Sequence, residues 1–245
     1  MNKNILVFLN SGGKMKIRKI YFSKGLCIVS LSIAVLCFAI TLISQLIPST
    51  YISFAFTYPI KYPWQIITYI FLHGYTKEVI PPDFPYSPLQ LTIGHLIYNI
   101  LLVIPFGILV EKVIGSKRFL LLSISAWLVN MIFTLILCII ITPEGETAAA
   151  VGASGLAFSF MPIGMFIVFM LGKKFGFMQL FKQVSFYLLL PMAIITLIIA
   201  LSPSIKGVTG IWSMIVHLLG ISVGIIYSFI YNKRIKAYFE KGMPE

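Results

Sequence analysis

The sequence predicts an all-α membrane protein with six transmembrane helices and a long interfacial first loop. Three observations predict this class. The 245-residue chain is 59% hydrophobic and 11% charged, whereas about a quarter of the residues in a soluble domain are charged. Its mean hydropathy is +0.98, and its apolar residues gather into six long runs. Lysines and arginines concentrate in every second connection between these runs.

Each apolar run approaches the roughly 20 residues that a helix needs to cross the hydrocarbon core. Helices are expected because lipid offers no partner to backbone amides. The predicted helices cover 25–47, 93–114, 119–142, 154–172, 180–200 and 211–231. Pro191 interrupts the fifth run, but membrane helices tolerate proline better than soluble ones do. The six helices form one membrane domain, 25–231, between a basic N-terminal segment, 1–24, and a basic tail, 232–245.

The first connection, 48–92, is far longer than typical loops. It is rich in aromatic residues, and Pro59 and Pro63 make it too irregular to span the bilayer. Aromatic, amphipathic stretches of this kind favour the headgroup region. We therefore expect this loop to lie at the membrane interface.

The distribution of basic residues predicts the orientation. With six spans, the two termini, the second-to-third loop and the fourth-to-fifth loop share one side and hold 16 of the 19 Lys and Arg residues. The positive-inside rule then places both termini in the cytoplasm, with the plasma membrane as the expected location. The net charge of +12 needs no nucleic acid partner, because no basic patch interleaved with aromatic residues is present.

Cysteine usage predicts no metal or redox centre. The chain has three cysteines, Cys27, Cys37 and Cys138, all in apolar runs and without a CxxC pair. An odd number in this arrangement indicates neither a disulfide framework nor a zinc site. No cofactor is predicted.

Polar residues in three predicted helices lie at a matching depth. Ser154 opens the fourth helix, and His95 and Asn99 lie in the first two turns of the second. His217 is about six residues into the sixth helix, roughly 9 Å from its start. All three helices begin on the predicted outer side. Polar groups within a span usually face the protein interior or a water-filled cavity and mark a functional site.

These residues fit nucleophilic catalysis. Serine needs a base within hydrogen-bonding distance to take its proton, and His217 is the candidate. Gly220 and Gly224 share its helix face and permit close approach of a neighbouring helix. If that neighbour is the fourth helix, His217 lies against Ser154. Neither helix contains Asp or Glu, so the pattern predicts a Ser–His dyad rather than a triad.

The developing oxyanion would also find donors. The backbone N–H of Ser154 lies at a helix N-terminus, where the dipole favours negative charge. His95 and Asn99 are four residues apart and share a face, so the Asn99 amide can donate with assistance from His95. Gly152 and Gly155 allow a tight turn and substrate approach.

Simpler roles are open for each of these residues. Ser154 could cap the helix that it begins, and His217 could be a hydrogen-bonded core histidine. His95 and Asn99 could form a polar helix–helix contact. The joint presence of all four favours catalysis.

The chain resembles rhomboid intramembrane serine proteases. The matching motifs are His95-x-x-x-Asn99, Gly152-Ala153-Ser154-Gly155, His217-x-x-Gly220-x-x-x-Gly224, Phe71-x-His73 and Glu111-Lys112-x-x-Gly115-Ser116-x-Arg118-Phe119. The resemblance spans about 64 to 231. The resemblance implies the six-helix rhomboid fold, Ser154 as nucleophile, His217 as general base, and Asn99 with His95 as oxyanion donors. Family members often carry Trp-Arg in the first loop, where this chain has Trp64-Gln65.

The sequence therefore predicts an intramembrane endopeptidase that cleaves transmembrane protein substrates near the outer membrane face, without a metal. The alternative is a catalytically silent, rhomboid-like binder of membrane proteins, which should have lost the serine or the histidine. A transporter is disfavoured because the chain shows no internal repeat and almost no charge within its spans.

Overall fold

A computed structural model of the chain describes residues 20, 23, 25–74, 86–182, 184–201 and 208–240. Six long helices dominate these residues: α1 Ile28–Leu46, α2 Pro88–Ile114, α3 Ser116–Ile141, α4 Ser154–Phe175, α5 Val184–Leu201 and α6 Val208–Ile230. Five of them are long and apolar enough to cross a membrane, and in α5 the described apolar stretch is the shorter Leu189–Ile198. The predicted all-α membrane class is confirmed, while the count of six spans stays a prediction.

The start of α2 differs from the expected one. This helix begins at Pro88 rather than at residue 93, because a capping box precedes the apolar run. The Ser87 hydroxyl accepts from the Gln90 N–H at 3.2 Å, and the Gln90 side chain accepts from the Ser87 N–H at 2.8 Å. Pro88 at the first helical position adds a preset backbone angle.

Helix α4 forms the centre of the bundle and packs against α2, α3 and α6. Its approach to α6 is close because two glycines remove side chains from the contact. A Cβ atom at Gly220 would lie 2.2 Å from the Gly155 carbonyl oxygen, and one at Gly224 would lie 2.3 Å from the Ser159 carbonyl oxygen. The backbones of α4 and α6 are therefore in contact at two successive turns, as small residues permit in pairs of membrane helices.

The first connection is more ordered than its irregular sequence predicts. It contains a 3₁₀ turn, Pro48–Thr50, short helices Tyr51–Phe54 and Gln65–Thr68, and strand β1, Phe56–Tyr58. Strand β1 pairs antiparallel with β2, Ala148–Ala150, which precedes α4. The loop is thereby joined to the segment that leads into Ser154. The sequence predicts a water-exposed loop over Pro81–Pro88, and most of this portion lies outside the described residues.

Gln65 anchors this connection from within. Its buried Oε1 accepts from the Thr57 hydroxyl at 2.9 Å and from the backbone N–H groups of Lys61 and Tyr62 at 3.0 and 3.1 Å. Its Nε2 donates to the Ile52 carbonyl at 2.7 Å. A neutral amide supplies both an acceptor and donors, so Gln65 joins four points of the loop.

Glu111 links α2 to the first turn of α1. Its carboxylate accepts from the N–H groups of Val29 and Ser30 at 3.1 and 2.8 Å and from the Ser30 hydroxyl at 2.7 Å. These N–H groups have no partner within their own helix, and the positive end of the helix dipole favours the carboxylate. The buried acid is thus a structural cap.

The segment after α6, which the sequence predicts as a basic tail, begins with a helix, Asn232–Glu240. Ile235 and Phe239 are buried on its inner side, and the Lys174 ammonium donates to the Phe239 carbonyl. A further short helix, Phe177–Phe181, follows α4. Most of the predicted N-terminal segment 1–24 lies outside the described residues.

Candidate active site

Ser154 is the first residue of α4 and is half-buried. The N-cap position belongs to Ala153, and no side chain caps the first turn. The Ser154 hydroxyl therefore does not serve as the cap. The uncapped N–H groups of this turn leave the positive end of the α4 dipole beside the serine.

Gly152 shapes the turn into α4. Its φ is +120°, a conformation that residues with a Cβ atom rarely adopt. Its N–H donates to the Tyr69 carbonyl at 2.9 Å, which ties the turn to the first connection. A Cβ atom here would lie 2.9 Å from Cε1 of His95 and 3.0 Å from its Nε2. The His95 ring therefore lies directly on the backbone two residues before Ser154.

His217 lies at the level of this turn. The two glycine contacts between α6 and α4 pair 220 with 155 and 224 with 159, an offset of 65 residues in both. The helices therefore run parallel, and the same offset pairs His217 with Gly152, at the start of α4. The ring of His217 stacks on Phe158 with centroids 4.2 Å apart and planes 6° from parallel.

Phe158 holds the His217 ring against the face of α4 that also carries Ser154. It is four residues after Ser154 and thus on the same face of α4. Side chains in a helix lean toward its N-terminus, so the Phe158 side chain leans along α4 in the direction of Ser154. The His217 Nδ1 is buried and has no hydrogen bond among the described residues. Phe158 was not predicted as a site residue, although its spacing from Ser154 is visible in the sequence.

Asn99 is fully buried on α2. Its Nδ2 donates to the His95 carbonyl at 2.9 Å, one turn earlier. An amide nitrogen carries two hydrogens, so one remains for another acceptor. His95 and Asn99 therefore lie at the same end of the bundle as the α4 N-terminus.

His73, which the sequence analysis named only within the Phe71-x-His73 motif, contacts two other residues of this site. It is fully buried, and its ring meets the His95 ring edge-on at 4.9 Å. Its Nε2 accepts from the Ala153 N–H at 3.3 Å, and its Nδ1 lies 3.2 Å from the Phe71 carbonyl. These contacts assign the proton to Nδ1. Burial, aided by the nearby His95, lowers the pKa of His73 to about 3, so the ring is neutral near pH 7.

Asn130, like Phe158, lies beside the candidate active site and was not predicted from the sequence. It is buried on α3, and its Nδ2 donates to the Ala126 carbonyl at 2.7 Å. A Cβ atom at Gly155 would lie 2.5 Å from its side-chain amide. Glycine at 155 thus admits both Asn130 and the α6 backbone beside the serine. A single asparagine in an apolar run gives no pattern that would identify this contact in advance.

Comparison with known protein families gives a match over the region from α2 to α6. The family model described as Rhomboid domain matches residues 86–234, well over half of the chain and from the start of α2 to beyond the end of α6. A search of curated proteins found no match. The chain is therefore a multi-pass membrane protein that belongs to the rhomboid family.

Proposed function

We propose that this chain is an intramembrane serine endopeptidase with Ser154 as nucleophile and His217 as general base. The observation that carries the proposal is the register of α4 and α6. It brings His217, stacked on Phe158, to the level of the turn that presents Ser154. Membership of the rhomboid family supports the proposal, because proteins of this family are generally serine intramembrane proteases.

The residues supply each step of acyl transfer. A ring nitrogen of His217 takes the Ser154 proton as Oγ attacks the scissile carbonyl carbon. The Ser154 N–H at the uncapped end of α4 and the remaining Asn99 hydrogen stabilise the oxyanion, with His95 beside them. His217 then protonates the leaving amine, and the acyl-enzyme forms. Water, deprotonated by His217, attacks the ester, and His217 returns the proton to Ser154 Oγ as the C–Oγ bond breaks and the carboxylic acid product leaves. No step requires a metal or an organic cofactor.

The location of the site determines the substrate class. Ser154 begins α4, and His95 and His217 are the eighth residue of α2 and the tenth of α6, so all three lie in the N-terminal halves of their helices. The charge distribution places these halves toward the outer face. A substrate would be a transmembrane segment whose scissile bond, near that face, has left the helix and exposed its carbonyl. The proposed location is the plasma membrane, with both termini in the cytoplasm.

Fluorophosphonate labelling of the purified, detergent-solubilised protein tests the dyad. We expect the wild type to label, and Ser154→Ala and His217→Ala to lose labelling. Ser159→Ala is the matched control, because this buried serine of the same helix donates to the Leu156 carbonyl at 2.7 Å; it should label normally. Absence of labelling in folded wild type, with an active control enzyme labelled in parallel, would contradict the proposal and favour the silent binder.

A further inference from the structure

The fold gathers cations at the end of the bundle opposite the candidate active site. Lys117 and Arg118 lie in the first turn of α3, and Lys173 lies in the last turn of α4. The Tyr231 hydroxyl donates to the Arg118 carbonyl at 3.4 Å, which brings the C-terminal helix to the same end. The exposed cations there are Lys117, Arg118, Lys173, Lys174, Lys182, Lys233, Arg234 and Lys236. The acids described at this end are the buried Glu111 and the exposed Glu240, so the positive charge is largely uncompensated.

Large apolar side chains are exposed beside these cations. On the short helix Phe177–Phe181, Phe177 and Phe181 are each 45% exposed and Met178 is 69% exposed, while Leu180 is buried. Gly172 allows the inward packing, since a Cβ atom there would lie 2.4 Å from the Phe177 ring and 3.0 Å from Leu180. Apolar side chains on one face of a short helix with cations around it are typical of segments that lie in a membrane interface.

The C-terminal helix has the same two-sided character. Ile235 and Phe239 pack inward, whereas Lys233, Arg234 and Lys236 are exposed. The hydrogen bond from Lys174 to the Phe239 carbonyl fixes the helix end to α4. Its three cations are therefore held on the folded body rather than on a free tail.

We propose that this basic surface binds the headgroups of anionic phospholipids in the adjacent leaflet, with Phe177, Met178 and Phe181 inserted among the upper acyl chains. A soluble anion would bind the cations but leave the apolar side chains in water. The presence of cations and exposed apolar side chains on the same surface therefore favours a lipid surface as the partner. The inference is independent of proteolysis. With the proposed orientation, the leaflet is the cytoplasmic one, where anionic lipids attract basic segments.

Electron paramagnetic resonance of spin-labelled phosphatidylglycerol and phosphatidylcholine tests this, with the full chain reconstituted in phosphatidylcholine vesicles. We expect the wild type to restrict phosphatidylglycerol preferentially. The triple variant Lys233→Gln, Arg234→Gln, Lys236→Gln should lower that preference about twofold or more. Its matched control replaces Lys61, Lys77 and Lys206 by Gln, which removes the same charge from the loops assigned to the other side, and should keep the preference.

The apolar contribution has its own pair of variants. Met178→Asn should lower phosphatidylglycerol restriction, whereas Ile140→Asn, equally exposed at the far end of α3, should not. An unchanged preference in the first triple variant, or an equal loss in both triple variants, would overturn the proposal. Circular dichroism confirms that each variant is folded before the comparison.

Discussion

Replacement of Gly220 by alanine should impair catalysis by separating two helices. The new Cβ atom would lie 2.2 Å from the Gly155 carbonyl oxygen, whereas ordinary contact begins at 3.4 Å. The helices must therefore part by about 1.2 Å at this point, the difference between those two distances. A misplacement of about 1 Å between catalytic groups can lower a rate about 100-fold, and overpacking costs about 1–3 kcal/mol of stability. The rate of fluorophosphonate labelling and the thermal midpoint in detergent measure the two effects.

Two further alanine variants decide whether the separation acts at the site. In Gly224→Ala the new Cβ atom would lie 2.3 Å from the Ser159 carbonyl oxygen, so this variant should lose a similar amount of stability. Its labelling rate should fall less than that of Gly220→Ala, because position 224 is one turn further from Ser154. Gly94→Ala has no atom within 4 Å of its Cβ and should behave as wild type. A folded Gly220→Ala protein that labels within about threefold of the wild-type rate would refute this reasoning.

Variants at three other positions test the surroundings of the site. Gly152→Ala should reduce labelling more than about tenfold, since its φ is +120° and its Cβ would lie 2.9 Å from the His95 ring. His73→Ala should lower the free energy of unfolding by about 1–3 kcal/mol, because the buried Ala153 N–H loses its acceptor. The pKa of His73 is lowered to about 3, so its neutral form stabilises the fold fully above pH 6.5, the usual pKa of histidine. That stability is lost as the pH falls from 6.5 toward 3, and His73→Gln should show a flatter dependence of thermal midpoint on pH. Gln65→Leu should lower the thermal midpoint, because three donors lose the acceptor Oε1.

The sequence predicted the long helices well because their information is local. Each apolar run carries its own length and hydrophobicity, and membrane spans have few alternatives. The chain also passes through Pro191 as one helix, Val184–Leu201, as expected of a membrane segment. The starting residue of α4, Ser154, agrees with the prediction because the apolar run begins directly after the glycine turn.

Features that depend on distant contacts escaped prediction. Strands of three residues, Phe56–Tyr58 and Ala148–Ala150, carry too little pattern to indicate a pairing between segments separated by two long helices. The acceptor role of Gln65 depends on a loop conformation that no periodicity encodes. His73 follows the same rule: the motif Phe71-x-His73 was visible, but its bond to the Ala153 N–H arises only when the loop folds against α4.

The contact between Glu111 and the start of α1 has a consequence for biosynthesis. Ser30 is separated by 81 residues from the carboxylate that caps it, and at translation speeds of about 5–20 residues per second that interval is roughly 4–16 s. Until Glu111 is made, the first N–H groups of α1 have to take other partners, such as water or headgroups. The nascent chain therefore acquires the cap of its first helix only after most of its second has been made.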